Sequence, residues 1–129
     1  MNGPALLVVI EHGYRGSAEV QFSDLLYVCL GLHSRLGGAD LLLRGGAVSF
    51  AVEAGPVPPL RIGARLLETA PDPRRSLARL LAAGVRAWAD EADLNHRGFT
   101  ADRLIDGVAA ADGAELAAQW PEYQRVWFL

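Results

Sequence analysis

Lysine is absent from the sequence, and all 12 of its basic residues are arginine. This absence excludes mechanisms that need a primary amine, including a lysine Schiff base and the lysine of a phosphate-binding P-loop. The formal net charge is -3, whereas general nucleic-acid binders typically carry an excess of basic residues. We therefore expect neither lysine-based chemistry nor a nucleic-acid partner.

Cysteine is nearly absent, since Cys29 is the only one. A single cysteine excludes an intramolecular disulfide and a cysteine-based zinc site, so any metal would need oxygen and imidazole ligands. The glycines occur in neither a Walker A nor a GxGxxG spacing, the two patterns that indicate nucleotide phosphates. The sequence predicts no metal and no cofactor.

Long apolar runs are also lacking. No window approaches the roughly 20 apolar residues that a membrane helix needs. The N-terminal apolar run, residues 5–10, is too short for the core of a signal peptide and has no basic leader before it. We expect a cytoplasmic protein that does not bind a membrane.

The sequence does contain enough apolar residues for one core, because 51% of its 129 residues are hydrophobic. This length is typical of one domain, on the order of 100 to 150 residues, so we interpret residues 1–129 as a single domain. Mainly apolar segments predict strands at residues 5–10, 39–43, 85–89 and 125–129, and the unbroken run at residues 5–10 is typical of a strand buried on both faces. Apolar steps of three or four predict helices at residues 22–36 and 74–83. Strands alternating with helices predict an α/β fold with a mainly parallel sheet.

Two segments between these elements remain ambiguous. Residues 47–52, AVSFAV, fit either a helix or a strand. Residues 60–70, LRIGARLLETA, fit an extended piece or a helix, and we expect Leu60, Leu66 and Leu67 to be at least partly buried there.

The C-terminal third contains two capping signals. Thr100 is placed to cap a short helix carrying Leu104, Ile105 and Val108. Asp112, with Glu115 three residues later, has the capping-box spacing that predicts another helix.

Polar residues follow three of the predicted strands, in the loops at residues 11–15 (EHGYR), 44–46 (RGG) and 90–91 (DE). In open α/β sheets, ligands bind outside the carboxyl ends of the strands, so these loops are expected to share one edge of the sheet. The candidate ligand-binding residues at this edge are Glu11, His12, Tyr14, Arg15, Arg44, Asp90, Glu91 and His96.

Residues 80–108, LLAAGVRAWADEADLNHRGFTADRLIDGV, resemble the DsrE/DsrF/DsrH family, which includes the TusBCD sulfur-relay subunits. The matching features are Gly84 after a helix, the strand at residues 85–89, Leu94, the Arg97-Gly98 pair and residues 105–108. The resemblance implies a three-layer α/β/α fold with a mostly parallel five-stranded sheet. It also implies assembly into trimers, hexamers or mixed oligomers.

Sulfur-carrying members of that family place a cysteine at the end of this strand, eight residues before the motif glycine, where this sequence has Asp90. A persulfide carrier needs a thiolate, and a carboxylate cannot replace it. Cys29 lies on the apolar stripe of the first predicted helix, where a cysteine is usually a small buried hydrophobe. The resemblance therefore predicts the fold but not the family's chemistry.

The acidic stretch at Asp90, Glu91 and Asp93 has two interpretations. It is a solvated loop whose carboxylates favour the start of a helix, or Asp90 and Glu91 join Glu11, His12 or His96 in holding a cationic ligand, a metal or an arginine of a neighbouring subunit. The scattered oxygen and imidazole ligands fit no diagnostic metal spacing.

The favoured hypothesis is a non-catalytic DsrE-like subunit or binding protein of intracellular sulfur relay, with no catalytic residues of its own. It would form a homo-oligomer, a trimer or hexamer, or a mixed oligomer with a thiol-bearing sulfur-relay subunit. The alternatives are a small-ligand binder or an enzyme that uses a carboxylate and histidine site at the strand ends, and sulfur transfer through Cys29.

Overall fold

A computed structural model describes residues 4–13, 25–54, 58–67 and 72–129 of the chain. The strands are β1 (Leu6–Ile10), β2 (Ala39–Leu43), β3 (Leu60–Ile62), β4 (Arg65–Leu67), β5 (Ala87–Asp90), β6 (Val108–Ala111) and β7 (Arg125–Phe128). The α-helices are α1 (Leu25–Arg35), α2 (Pro73–Ala82), α3 (Glu91–His96) and α4 (Gly113–Ala117). Short 3₁₀ helices span Gly45–Ala51, Ala101–Arg103 and Trp120–Glu122.

Five strands form one sheet in the order β6-β5-β2-β1-β7, and every pairing in it is parallel. The two central strands, β1 and β2, are buried along their whole length, as their mainly apolar sequences predict. Helices flank the sheet on both faces, so the predicted α/β fold with a five-stranded, mostly parallel sheet is confirmed.

The larger core covers the face of the sheet on which α1, α2 and the Gly45–Ala51 3₁₀ helix pack. Leu77 and Leu80 of α2 meet Leu26 and Cys29 of α1 in this core. Burying a leucine or isoleucine side chain stabilises a fold by roughly 1.5 to 3 kcal/mol, so this face provides much of the stability. Cys29 is buried within it, as its place on the apolar stripe predicts.

The opposite face carries a smaller core, formed by Leu7, Val9 and Leu42. The side chains that cover it come mainly from the C-terminal third of the chain and include Trp88, Leu116, Trp120, Tyr123 and Val126. The indole Nε1 of Trp120 is buried and has no hydrogen-bond partner among the described residues.

The predicted helix around Leu104, Ile105 and Val108 is wrong. Leu104 instead forms an antiparallel bridge with Val52, and the N–H of Ile105 donates to the Ala51 carbonyl at 2.7 Å. Gly107 then adopts a positive φ of 99°, which ends any helix, and Val108 begins strand β6. Leu104, Ile105 and Val108 occupy positions i, i+1 and i+4, which is also the spacing of apolar residues on one face of a helix.

The capping-box spacing correctly predicts helix α4, but only one of the two hydrogen bonds of a capping box is formed. Asp112 caps α4 by accepting from the N–H of Ala114 at 2.8 Å, and among the described residues the Glu115 side chain makes no bond back to Asp112. In the ambiguous segment at residues 47–52, residues 47–51 are 3₁₀-helical and Val52 is extended.

The second ambiguous segment is an antiparallel hairpin, formed by β3 and β4. Gly63 has a φ of 59° and Ala64 does not have a positive φ, which matches the type II′ turn that favours glycine first. The expected burial of Leu66 is wrong, because 51% of this residue is exposed. The side chains of Leu60 and Leu67 lie outside the described part of the chain.

One carboxylate, Asp40, is buried within the apolar run of β2 and is only 2% exposed. Arg86 donates to both carboxylate oxygens, at 3.2 Å from Nε and 2.7 Å from Nη2, and the Tyr123 hydroxyl donates to Oδ2 at 2.6 Å. These bonds satisfy a charge that would otherwise be very unfavourable inside the fold. They also link β2 to the residues just before β5 and β7.

We expect Arg86→Met to destabilise the fold more than Asp40→Asn does. Removing the arginine leaves the Asp40 charge buried and unpaired, a loss of roughly 2 kcal/mol after allowance for the 63% exposure of the arginine side chain. Removing the Asp40 charge leaves an arginine that water can reach, a loss of roughly 1 kcal/mol. Urea denaturation measures both, and an equal or larger loss for Asp40→Asn would contradict the assignment.

Burial raises the pKa of Tyr123, and its hydrogen bond to the Asp40 carboxylate raises it further. A folded-state pKa above the unfolded value contributes stability that is complete below about pH 10 and is lost as the pH rises beyond it. We therefore expect the free energy of unfolding to fall less steeply above about pH 10 in Tyr123→Phe than in the wild type. Identical slopes in denaturant titrations across this range would refute a role for the Tyr123 hydroxyl.

Candidate functional site

The carboxyl ends of β1, β2 and β5 lie at one edge of the sheet, as the parallel pairing requires. The loops after these strands therefore meet there, and the predicted convergence is confirmed for Glu11, Arg44 and Asp90. Tyr14 and Arg15, which were predicted at the same edge, lie outside the described residues.

Glu11 and Arg44 form an ion pair across the ends of β1 and β2. The arginine Nε donates to Glu11 Oε1 at 2.7 Å. The guanidinium also lies 5.7 Å from the ring centroid of Trp120 and 5.4 Å from that of Phe128, within range for cation–π attraction. Arg44 thus connects the charged edge of the site to the aromatic residues of the smaller core.

Two glycines allow the loops after β1 and β2 to pack against each other. A Cβ on Gly13 would lie 2.7 Å from the Gly46 carbonyl oxygen. A Cβ on Gly45, whose φ is 57°, would lie 2.7 Å from the Glu11 carbonyl oxygen. Both separations are too short for real side chains, so glycine is required wherever these backbones approach.

Asp90 ends β5 and is the N-cap of α3. Its Oδ1 accepts from the N–H of Asp93 at 3.1 Å, which satisfies one of the free donors at the helix start. Its Oδ2 faces Gly113, where a Cβ would clash with it. The Asp90 carboxylate is therefore held between α3 and the start of α4.

Asp93 makes the hydrogen bond that connects the start of α3 to the loop after β2. Its Oδ2 accepts from the N–H of Gly45 at 2.7 Å and so joins the first turn of α3 to the loop after β2. The sequence places Asp93 in the acidic stretch but gives no sign of this bond, because the bond depends on how β2 and β5 are paired. Asp93 is thus a site residue that the sequence prediction omitted.

The remaining predicted residues do not join this network. His12, Glu91 and His96 are exposed, Glu91 at the start of α3 and His96 at its end. Within the described part of the chain, no side-chain hydrogen bond or ion pair links Asp90 or His96 to Glu11 or Arg44. Among the same residues, no group of three histidine, cysteine or carboxylate side chains is arranged to hold a metal ion.

The carboxylates of Glu11, Asp90 and Asp93 at this edge are each bonded to another group of the protein. The Glu11 carboxylate is paired with Arg44, the Asp90 carboxylate caps a helix, and the Asp93 carboxylate binds a backbone N–H. The first interpretation of the acidic stretch, carboxylates that favour a helix start, agrees with the bonds of Asp90 and Asp93. The described residues of the site include no thiol, because Cys29 is buried in the larger core.

No protein-family model matches the sequence, and no curated protein matches it. Among solved structures, the chain is similar to the YchN protein from E. coli, with a TM-score of 0.74 and 20% identity over 98% of this chain and 100% of YchN. It is also similar to MTH1491, a protein of unknown function from Methanobacterium thermoautotrophicum, with a TM-score of 0.64 and 16% identity over 95% of this chain and 99% of that one. At these identities the similarity shows the fold, which is DsrE-like. No helix in the described part of the chain is long and apolar enough to cross a membrane.

The capping role of Asp90 predicts a specific order of stabilities. Asparagine is as good an N-cap as aspartate, so Asp90→Asn is expected to keep nearly the wild-type stability, whereas Asp90→Ala loses about 1 kcal/mol. Thermal or urea unfolding of the two variants measures the difference. Equal stability of Asp90→Ala and the wild type would show that the cap does not contribute.

Proposed function

We propose that the chain is a non-catalytic DsrE-like subunit or binding protein of intracellular sulfur relay. The observation that carries this proposal is the Asp90 carboxylate, which lies at the end of β5 and caps α3. The sequence resemblance matches this position to the cysteine of sulfur-carrying members. The DsrE-like fold supports the comparison, and the sulfur pathway itself comes from the resemblance alone.

The chemistry of sulfur transfer explains why such a chain would be non-catalytic. A carrier thiolate attacks a sulfane sulfur, forms a new S–S bond and expels the shortened donor as an anion. A carboxylate does not form that bond. Cys29 of α1 is only 2% exposed and belongs to the larger core, where a donor cannot reach it without local opening.

A subunit without a nucleophile acts through what it binds, so assembly is part of the proposal. The chain would form a homo-oligomer, a trimer or hexamer, or a mixed oligomer with a thiol-bearing relay subunit. Exposed aromatic residues on the edge strand β7, Trp127 and Phe128, support such assembly because large exposed apolar side chains favour contact with another protein surface.

A second candidate function is binding of a small ligand at the strand ends. The ion pair of Glu11 and Arg44 favours it, because their side chains are 40% and 32% exposed and the arginine lies against two aromatic rings. The variant Asp90→Asn separates the two candidates, since it retains the cap and removes the charge. A binding subunit for a relay partner tolerates this change, whereas a ligand site that depends on the Asp90 carboxylate loses affinity while the protein stays folded.

The proposed correspondence predicts that Asp90→Cys gains a reactive thiol. The new thiol would lie at a strand end, and its reaction with a thiol reagent is expected to be much faster than that of Cys29. The start of α3 lowers the pKa of such a thiol and the nearby carboxylates raise it, so exposure is the firmer expectation.

Peptide-resolved labelling of folded Asp90→Cys measures both thiols in one sample, with Cys29 as the internal control. The background Cys29→Ser then shows whether the new thiol accepts sulfur from a polysulfide. A thiol at position 90 that reacts only after denaturant is added would contradict the proposed correspondence.

A further inference from the structure

Charge is distributed unevenly along the chain. Residues 60–86 contain six arginines and two carboxylates, a formal charge of +4, whereas residues 90–122 contain eight carboxylates and two arginines, a formal charge of -6. The exposed arginines of the first segment are Arg61, Arg65, Arg75, Arg79 and Arg86. Three exposed carboxylates of the second segment lie together on α4, its N-cap and the 3₁₀ turn that follows; this acidic surface consists of Asp112, Glu115 and Glu122.

Parts of these two segments lie on opposite faces of the sheet. Helix α2, which carries Arg75 and Arg79, packs on the larger core. Helix α4, which carries Glu115, packs through Leu116 on the smaller core. The same chain therefore presents basic and acidic residues on different sides, and one copy is electrostatically complementary to another.

The hairpin of β3 and β4, hereafter the arm, stands apart from the five-stranded sheet. Its strands pair only with each other among the described strands, and every residue from 61 to 66 is exposed. The pairing of Arg61 with Leu66 and of Ile62 with Arg65 gives each face of the arm one guanidinium and one large aliphatic side chain. A lone two-stranded hairpin is at best marginally stable in water, so packing against another surface would stabilise the arm.

We propose that the arm binds the acidic surface of a second copy of this chain. The guanidinium groups of Arg61 and Arg65 would meet carboxylates there, while Ile62 and Leu66 bury apolar area. The two surfaces differ, so the contact is heterologous and repeats from one copy to the next until a ring closes. This inference rests on the proposed self-association, but it does not depend on the role in sulfur relay.

The test uses the purified full chain and two charge-reversed variants. The arm variant is Arg61→Glu with Arg65→Glu, and the acidic variant is Glu115→Arg with Glu122→Arg. None of these four side chains forms a hydrogen bond or ion pair with the described residues, so the fold should tolerate the changes. The control, Arg35→Glu with Arg79→Glu, changes the net charge by the same amount at exposed positions outside the arm and outside β7. Circular dichroism melts verify that each variant is folded.

Light scattering after gel filtration, over a dilution series, measures the mass of each protein. The wild type and the control are expected to be oligomeric, with an assembly that weakens as salt is raised. Each reversed variant alone should dissociate at a concentration at least about tenfold higher than the wild type, because like charges then face each other. A mixture of the two variants should recover larger species, since reversed arms meet reversed acidic surfaces.

Three results would overturn the proposal in distinguishable ways. A wild-type oligomer whose mass the arm variant retains at every dilution would refute docking through the arm and leave self-association intact. A wild-type chain that stays monomeric at every concentration would refute both. Failure of the mixture to associate, when each variant alone is folded and monomeric, would refute pairing of the arm with the acidic surface.

Discussion

The geometry of the strand-end site depends on the hydrogen bond by which the Asp90 carboxylate caps α3. Asp90 is the last residue of β5, its carboxylate accepts from the N–H of Asp93, and α3 begins at the next residue. That short turn places Asp93 where it reaches Gly45 in the loop after β2. The loop after β2 in turn packs against the loop after β1, because Gly13 and Gly45 leave room for their backbones. One capping residue therefore helps to set three loops.

The same geometry explains why a carboxylate suits the end of β5. A strand end that leads directly into a helix is a favourable place for an anionic side chain, since the free N–H groups of the first turn stabilise negative charge. A thiolate would be stabilised there in the same way. With aspartate at that position the carboxylate caps the backbone of α3, and the ion pair of Glu11 and Arg44 beside it is partly exposed.

The sequence predicts the main strands and helices well because their signals are local. The mainly apolar sequences of β1 and β2 and the leucine spacing of α2 indicate burial directly, and the common edge of the strand ends then follows from parallel pairing. The helix expected at Leu104 failed because long-range bonds to Ala51 and Val52 override local spacing. Asp40 was hidden within an apolar run, since the partners that neutralise it, Arg86 and Tyr123, are 46 and 83 residues away along the chain. The exposure of Leu66 could not be predicted either, because it depends on the position of the β3–β4 hairpin outside the five-stranded sheet.

The most direct test of the central claim is the mass of the intact wild-type chain after incubation with a polysulfide donor. A non-catalytic subunit with a buried Cys29 is expected to gain no stable persulfide, and Cys29→Ser serves as the matched control. Addition of one sulfur atom to every wild-type chain, absent from Cys29→Ser, would show that the chain carries sulfur itself and would contradict the role proposed for Asp90.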